Sequence, residues 1–236
     1  MDFDFLGETF VRLLSGIPLT LELAFSSVGL GIVLAVALAL MLRARFLPLG
    51  WFADAFVFVF RGTPLLVQLF LIYYGLGQFR PELQEMGLWW FFRAPYYCAL
   101  LALTLNTAAY GAEIVRGGLQ SVPAGQIEAA RAFGMSGFTL YRRIVAPIAL
   151  RQALPAYGNE IILMIKATSL ASTITIMEVT GLAHKLISET FRSFEVFFAA
   201  GAIYLIINFA VTRLIWLAEH RIAPDLTLAE RTAELH

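Results

Sequence analysis

From Val28 to Leu40 the chain runs for thirteen residues without a charge or a polar side chain, and the block extends from Ile17 to Leu42 with Glu22 as its single charge. No soluble fold has an obvious use for such a segment. A spanning helix needs about 20 mostly apolar residues, because each rises about 1.5 Å against a hydrocarbon core of about 30 Å. This block therefore reads as a membrane span. Arg43 and Arg45 stop it, and Glu22 sits near its other end, within reach of the interface.

Four further blocks follow. The second runs from Trp51 to Leu76 and is interrupted by Arg61-Gly62-Thr63-Pro64, which predicts an approach helix over 51–60 and a main span over 64–77. Pro64 suits a first helical turn, where its missing N–H is not needed. Trp89 and Trp90 lie beside a charged loop, as in an aromatic belt. The third span is read from Tyr96 to about Val115, the fourth from about Leu154 to Met177, and the fifth from Val196 to Leu217. Continuous blocks with arginine at alternate ends argue against both a soluble helical bundle and an outer-membrane barrel, whose strands would alternate in polarity. The expectation is an all-α polytopic membrane protein, residues 1–236 forming one transmembrane domain with five helices.

Arginine sets the direction. Arg43, Arg45, the loop over 116–152 and the tail gather on one side, whereas Arg12, Arg80, Arg93, Lys185 and Arg192 stand among acids on the other. The N-terminus is expected outside and the C-terminus inside. The opening Met1-Asp2-Phe3-Asp4-Phe5 is acidic where a secretory signal would be basic.

Composition excludes several classes. Hydrophobic residues make up 59% of the 236, charged residues 14%, and the formal charge is 0, so no global field draws nucleic acid. One cysteine, Cys98, and three scattered histidines, His184, His220 and His236, supply neither a disulfide framework nor a metal cluster. A membrane enzyme would need a nucleophile–base set that is not evident.

The loop at 116–152 holds Arg116, Arg131, Arg142, Arg143 and Arg151. Within it, Pro123 can open a helix, Glu128, Ala129, Ala130, Arg131 and Ala132 favour one, and Gly134 can close it in a left-handed conformation. Ser136 can cap a second helix through Tyr141 to Arg143, before Pro147 bends or restarts the chain. The product is a helix of roughly three turns outside the membrane. Small side chains would let it seat in a partner's groove, Phe133 and Met135 supplying apolar contact and Glu128 and Arg131 flanking it. An amphipathic helix resting on lipid is the alternative.

Glu128-Ala129-Ala130, then Gly134, Ile144 and Pro147, resembles the signature loop of the membrane subunits of binding-protein-dependent ATP-binding-cassette importers, departing at Ala146, where leucine is usual. Phe60–Leu69, Leu105–Arg116, and Ala153–Glu160 with Lys166–Leu170 are similar to the polar amino acid branch, including histidine and opine permeases. The resemblance implies a type I importer transmembrane domain in a bacterial inner membrane. Its docking residues would be Glu128, Ala129, Ala130, Arg131, Phe133, Gly134 and Met135. It implies as partners an ATP-binding-cassette ATPase dimer carrying the ATP and Mg, a second permease subunit (a related chain rather than a copy), and a periplasmic solute-binding protein. The chain itself would bind no cofactor, and no Gly-rich P-loop is present. An ion-coupled secondary transporter and a non-transport membrane scaffold are the alternatives.

Polar residues inside a bilayer are costly and usually face a bundle interior or a water-filled path. Asn106, Tyr110 and Glu113 share one helical face, with Glu113 also placed to pair with Arg116. Asn159 and Lys166 share another, Glu160 projects beside them, and Thr168 and Ser169 can satisfy backbone groups at a helix break. For a zwitterionic solute, Lys166, Thr168 and Ser169 would meet the carboxylate, and Glu160, Asn106 and Tyr110 the ammonium. Interhelical pairing of Glu160 and Lys166 is the competing role. Arg61 is expected to be structural.

Overall fold

A computed structural model describes residues 2–43 and 47–222, the side chain of Ile222 excepted; Arg45, His236 and the C-terminal tail lie outside the described residues. Every described element is helical. Helix α1 (Phe3–Leu14) precedes α2 (Ile17–Leu42). Then come α3 (Leu47–Gly62) and α4 (Leu65–Phe70), which runs on as a π turn to Gly75. Short helices α5 (Arg80–Glu85) and α6 (Trp89–Phe92) lead to α7 (Pro95–Gln120). Helices α8 (Ala124–Ala132) and α9 (Gly137–Leu140) occupy the basic loop, and a π turn over Tyr141–Val145 feeds α10 (Ala146–Ala167). A 3₁₀ segment (Thr168–Ile174), α11 (Val179–Thr190) and α12 (Ser193–Ile222) complete the described chain.

Three helices, α2, α7 and α12, are each long and apolar enough to cross a membrane; the number reaches five if each of two bent pairs is one span. The first pair corrects the reading of the second block. Its arms, α3 and α4 with its π turn, meet at 105°, so the approach helix does not extend the 64–77 segment into one straight span. At 1.5 Å per residue neither arm alone reaches about 30 Å. The second pair, which runs from Gly137 to Ile174 and continues in α11, bends by 45°. There the helix starts at Ala146 rather than near Leu154. Pro147 sits in its first turn without breaking it, and the polar Arg151 and Gln152 remain exposed. Helix α1 was not foreseen. Asp2 caps it by accepting from Phe5 N–H (3.1 Å) and pairs with Arg192 at 2.9 Å, tying the N-terminus to the start of α12. That guanidinium, by hydrogen bonding, holds the Asp2 carboxyl below the usual carboxylate range.

The core is built on the α2–α7 seam. Thr20, Leu23, Ala24, Ser27, Gly31, Ala35 and Leu38 recur every three or four residues on α2 and are all buried. They meet Ala99, Ala102, Thr107, Ala108 and Gly111 of α7. Small residues let the backbones approach: a Cβ on Gly31 would collide with Thr107 Cγ2, and one on Gly111 would sit 2.5 Å from the Tyr157 hydroxyl. Packing here, rather than exclusion of water, holds the helices together, because lipid is as apolar as leucine. Outward-facing Val33, Phe58, Leu205 and Leu214 are each more than half exposed, as a lipid-facing surface requires.

Candidate functional site

The break between α3 and α4 is chemically closed. Thr63 and Pro64 interrupt the helix and free carbonyls that hydrocarbon cannot satisfy. The buried Gln68 amide reaches back to them: its Nε2 donates to Phe60 O (2.8 Å), Thr63 O (3.1 Å) and Thr63 Oγ1 (2.8 Å). Asn106 of α7 supports it, donating to Gln68 Oε1 at 3.0 Å and to Phe60 O at 3.4 Å. Asn106 therefore faces the break. One turn on, Tyr110 lies under the Arg61 guanidinium, 5.3 Å from its centroid. Glu113 bonds Arg116, as expected, and approaches Arg61 at 3.8 Å. All three α7 residues look toward the α3–α4 bend, and Arg61 is built into it.

Helix α10 separates its polar residues by face. Asn159, Leu163 and Lys166 are exposed along one stripe, the shared face expected for Asn159 and Lys166. Glu160 points away from it and is 6% exposed, accepting from Thr107 Oγ1 at 2.8 Å across the α7–α10 seam. No ion pair joins it to Lys166 or to any other cation among the described residues. The Glu160 and Lys166 side chains thus stand on different sides of one helix.

Beyond Lys166 the α-helix tightens to 3₁₀. Thr168 Oγ1 donates to Ile165 O (2.7 Å) and Ser169 Oγ to Lys166 O (2.6 Å), so both hydroxyls satisfy carbonyls at the break. Lys166 and Ser169 line an open cleft of about 360 Å³ with Thr180, Phe197, Gly201 and Tyr204; Glu160 and Asn106 are not part of it. Behind it stands a group the sequence reading missed. Glu178 is fully buried, caps α11 by accepting from Gly181 N–H (2.8 Å), and accepts from the Tyr204 hydroxyl at 2.6 Å. Tyr204 also meets Thr180 Oγ1 at 3.1 Å. An acid three residues before Gly181 is a capping signal, but its partner lies 26 residues away and leaves no local trace.

The basic loop is a short, sharply ended helix. Pro123 takes the N-cap position of α8 with extended backbone. Gly134 adopts φ +79°, Gly134 N–H donates to Arg131 O (2.9 Å) and Met135 N–H to Ala130 O (3.0 Å). These two bonds are the Schellman ending, which favours glycine at this position. Glu128, Ala129 and Arg131 are exposed and Phe133 is 85% exposed, whereas Ala130 is buried and Met135 packs half-buried on the helix's own cluster with Leu119, Leu140 and Val145. Met135 therefore braces the helix from within, and Phe138, 77% exposed, stands out beside Phe133.

Comparison with known proteins adds the family. Residues 27–224 match the model of binding-protein-dependent transport system inner membrane components. The octopine transport system permease protein of Rhizobium radiobacter is 60% identical, the match covering 100% of both chains. The histidine/lysine/arginine/ornithine transport system permease protein of Salmonella typhimurium is 44% identical over 88% of each. A crystal structure of an amino acid ABC transporter with histidines superposes with a TM-score of 0.83 at 36% identity, covering 94% of this chain and 99% of that one. With helices of spanning length, a broken polar helix pair and a capped loop helix, the chain belongs to the family of binding-protein-dependent transport system inner membrane components, a multi-pass inner-membrane permease of the type I importer fold.

Proposed function

We propose that the chain lines the path of an ATP-driven importer for a cationic amino acid or opine. A separate ATPase dimer, docked on α8, drives it, an external binding protein delivers the solute, and a related second permease subunit completes the path. Five spans then place the N-terminus outside and α8 inside. Octopine, histidine, lysine, arginine and ornithine, named for the relatives, all carry a basic nitrogen group.

The observation that carries the solute class is Glu160. A buried carboxylate without a cationic partner is costly, and an arriving cation would neutralise it. Lys166 in the open cleft supplies a cation for the solute carboxylate, with Ser169 beside it in the wall. Asn159 continues that stripe, Thr168 holds the break behind it, and Asn106, Tyr110 and Glu113 position the α3–α4 bend that borders the path. Alternating access opens the α7–α10 seam to one side at a time, giving the solute its turn at Glu160.

Proteoliposomes holding the permease pair and ATPase, with external binding protein and internal ATP, test this. Radiolabelled arginine should accumulate and glutamate should not. Glu160→Gln should raise the arginine KM about tenfold, the loss of one charge-assisted contact, with the complex still assembled. Uptake driven by an ion gradient without the ATPase would overturn the importer reading, and unchanged kinetics in E160Q would remove Glu160 from the site.

A further inference from the structure

A large apolar cavity in the fold is lined by none of the residues assigned above to the path or the docking helix. It is a groove of about 530 Å³ between α2, α7, α10 and α12, lined by Val36, Leu119, Leu150, Tyr157, Ile215 and Ala218 among others. Its walls are almost wholly aliphatic or aromatic, the wrong chemistry for a zwitterion. Tyr157 and Ile161 line it, whereas Asn159 and Leu163 are exposed elsewhere. Residues two apart on an α-helix point about 200° apart, so the groove and the polar stripe occupy opposite faces of α10. If the stripe faces the path, the groove faces the bilayer.

Basic residues flank the groove in sequence, two beside its Tyr141 end and one midway along its α10 wall. Tyr141 lines it, and Arg142 and Arg143 follow directly in the π turn. Arg151 is adjacent to Leu150, and Arg221 lies three residues beyond Ala218. Arg142, Arg143 and Arg151 are exposed and none joins an ion pair among the described residues. Arg116 differs, being held by Glu113. One acid, Glu219, also reaches the groove wall, its Oε1 standing beside Gly158. A long apolar slot flanked by arginines that join no ion pair among the described residues matches one ligand in charge and shape: a phosphate diester carrying acyl chains.

We propose that this groove is a binding site for an anionic phospholipid of the surrounding bilayer, with an acyl chain lying along Val36, Leu150, Tyr157 and Ala218 and the headgroup phosphate held by Arg142, Arg143 and Arg151. The site rests on the proposed reading that the polar stripe of α10 faces the path, and does not depend on which solute crosses. It has a mechanical consequence. Arg142 and Arg143 lie in the π turn that leads into α10 and Arg151 in the second turn of α10 itself, so the lipid braces the join between the docking loop and the bundle.

The purified complex, with its second permease and ATPase, is exchanged into detergent with equal amounts of phosphatidylglycerol and phosphatidylcholine, and retained lipid is read by native mass spectrometry. Wild type should retain phosphatidylglycerol at least about fivefold over phosphatidylcholine, the discrimination one basic side chain supplies near an anionic surface. Replacing the three arginines with glutamine should abolish the preference, and replacing them with lysine should keep it, which separates lost charge from lost folding. Ala218→Trp, which fills the groove, should reduce retention of both lipids. Equal retention in wild type, a preference that survives the glutamine variant, or retention unchanged in A218W would each overturn the proposal. So would a disulfide from Ala218→Cys to the second permease in the membrane, since the groove would then be covered by protein.

Discussion

Asn106 Nδ2 stands 3.0 Å from Gln68 Oε1, and through that contact α7 fixes the 105° bend between α3 and α4. Gln68 donates to Phe60 O and Thr63 O at the break, and Asn106 both orients Gln68 and donates to Phe60 O itself. Removing either amide leaves buried acceptors unmet, at about 1–3 kcal/mol each. Gln68→Leu and Asn106→Leu should each lower the melting temperature of the detergent-purified complex. The double variant should lose less than the sum, because both act on one network. Additive losses would mean that the two amides work independently.

Close helix packing gives a sharper contrast between neighbouring glycines. A Cβ on Gly118 would lie 2.6 Å from Ala149 O of α10, whereas nothing stands within 4 Å of one on Gly117. Gly118→Ala should therefore destabilise by about 1–3 kcal/mol. Gly117→Ala should be neutral or stabilise by up to about 1 kcal/mol, through helix propensity. Paired thermal melts of the purified complex read the difference, and equal melts would mean that α7 and α10 can separate at no cost.

Topology is tested by thiol accessibility. Cys98 is fully buried, so a single introduced cysteine reports alone. Cysteines replacing the exposed Asp4, Gln84 and Ser188 should react with an impermeant reagent from outside, and one replacing Gln126 on α8 should not. Labelling of Gln126→Cys from outside would invert the proposed orientation. A matching position at Ala229 lies outside the described residues.

What the sequence made legible follows from how local each signal is. Helices α2 and α12 stand out because hydropathy accumulates along the chain without reference to partners. Gly134 was readable because a left-handed helix ending is specified within a few residues, and φ +79° is the result. Arg151 and Gln152 concealed the start of α10, since polarity in a list cannot show that those side chains project away from the bundle. The 105° bend was announced by Pro64, but its angle depends on Gln68 and on Asn106, which lies 38 residues away from it. Glu178 and Tyr204 escaped notice for the same reason. Asn106, Glu160 and Lys166 were found by residue type, and only the fold distributes them among a helix break, a buried seam and an open cleft.

In the proposed importer α8 transmits the work of a separate ATPase to the path, and Gly134 gives that role a single test. Its φ of +79° costs a residue with a Cβ roughly 1–2 kcal/mol, more for a β-branched one. No protein atom lies within 4 Å of the added Cβ, so the bundle itself is not disturbed. The measurement is ATP hydrolysis by the reconstituted complex with and without loaded binding protein, beside retention of the ATPase on the purified permease. Gly134→Val should insert into the membrane normally yet lose stimulation by about tenfold or more, the fall expected when a docking surface is displaced, whereas Ala132→Ser, at an exposed position on the same helix, should keep most of it. Wild-type stimulation together with wild-type ATPase retention in G134V would contradict the account.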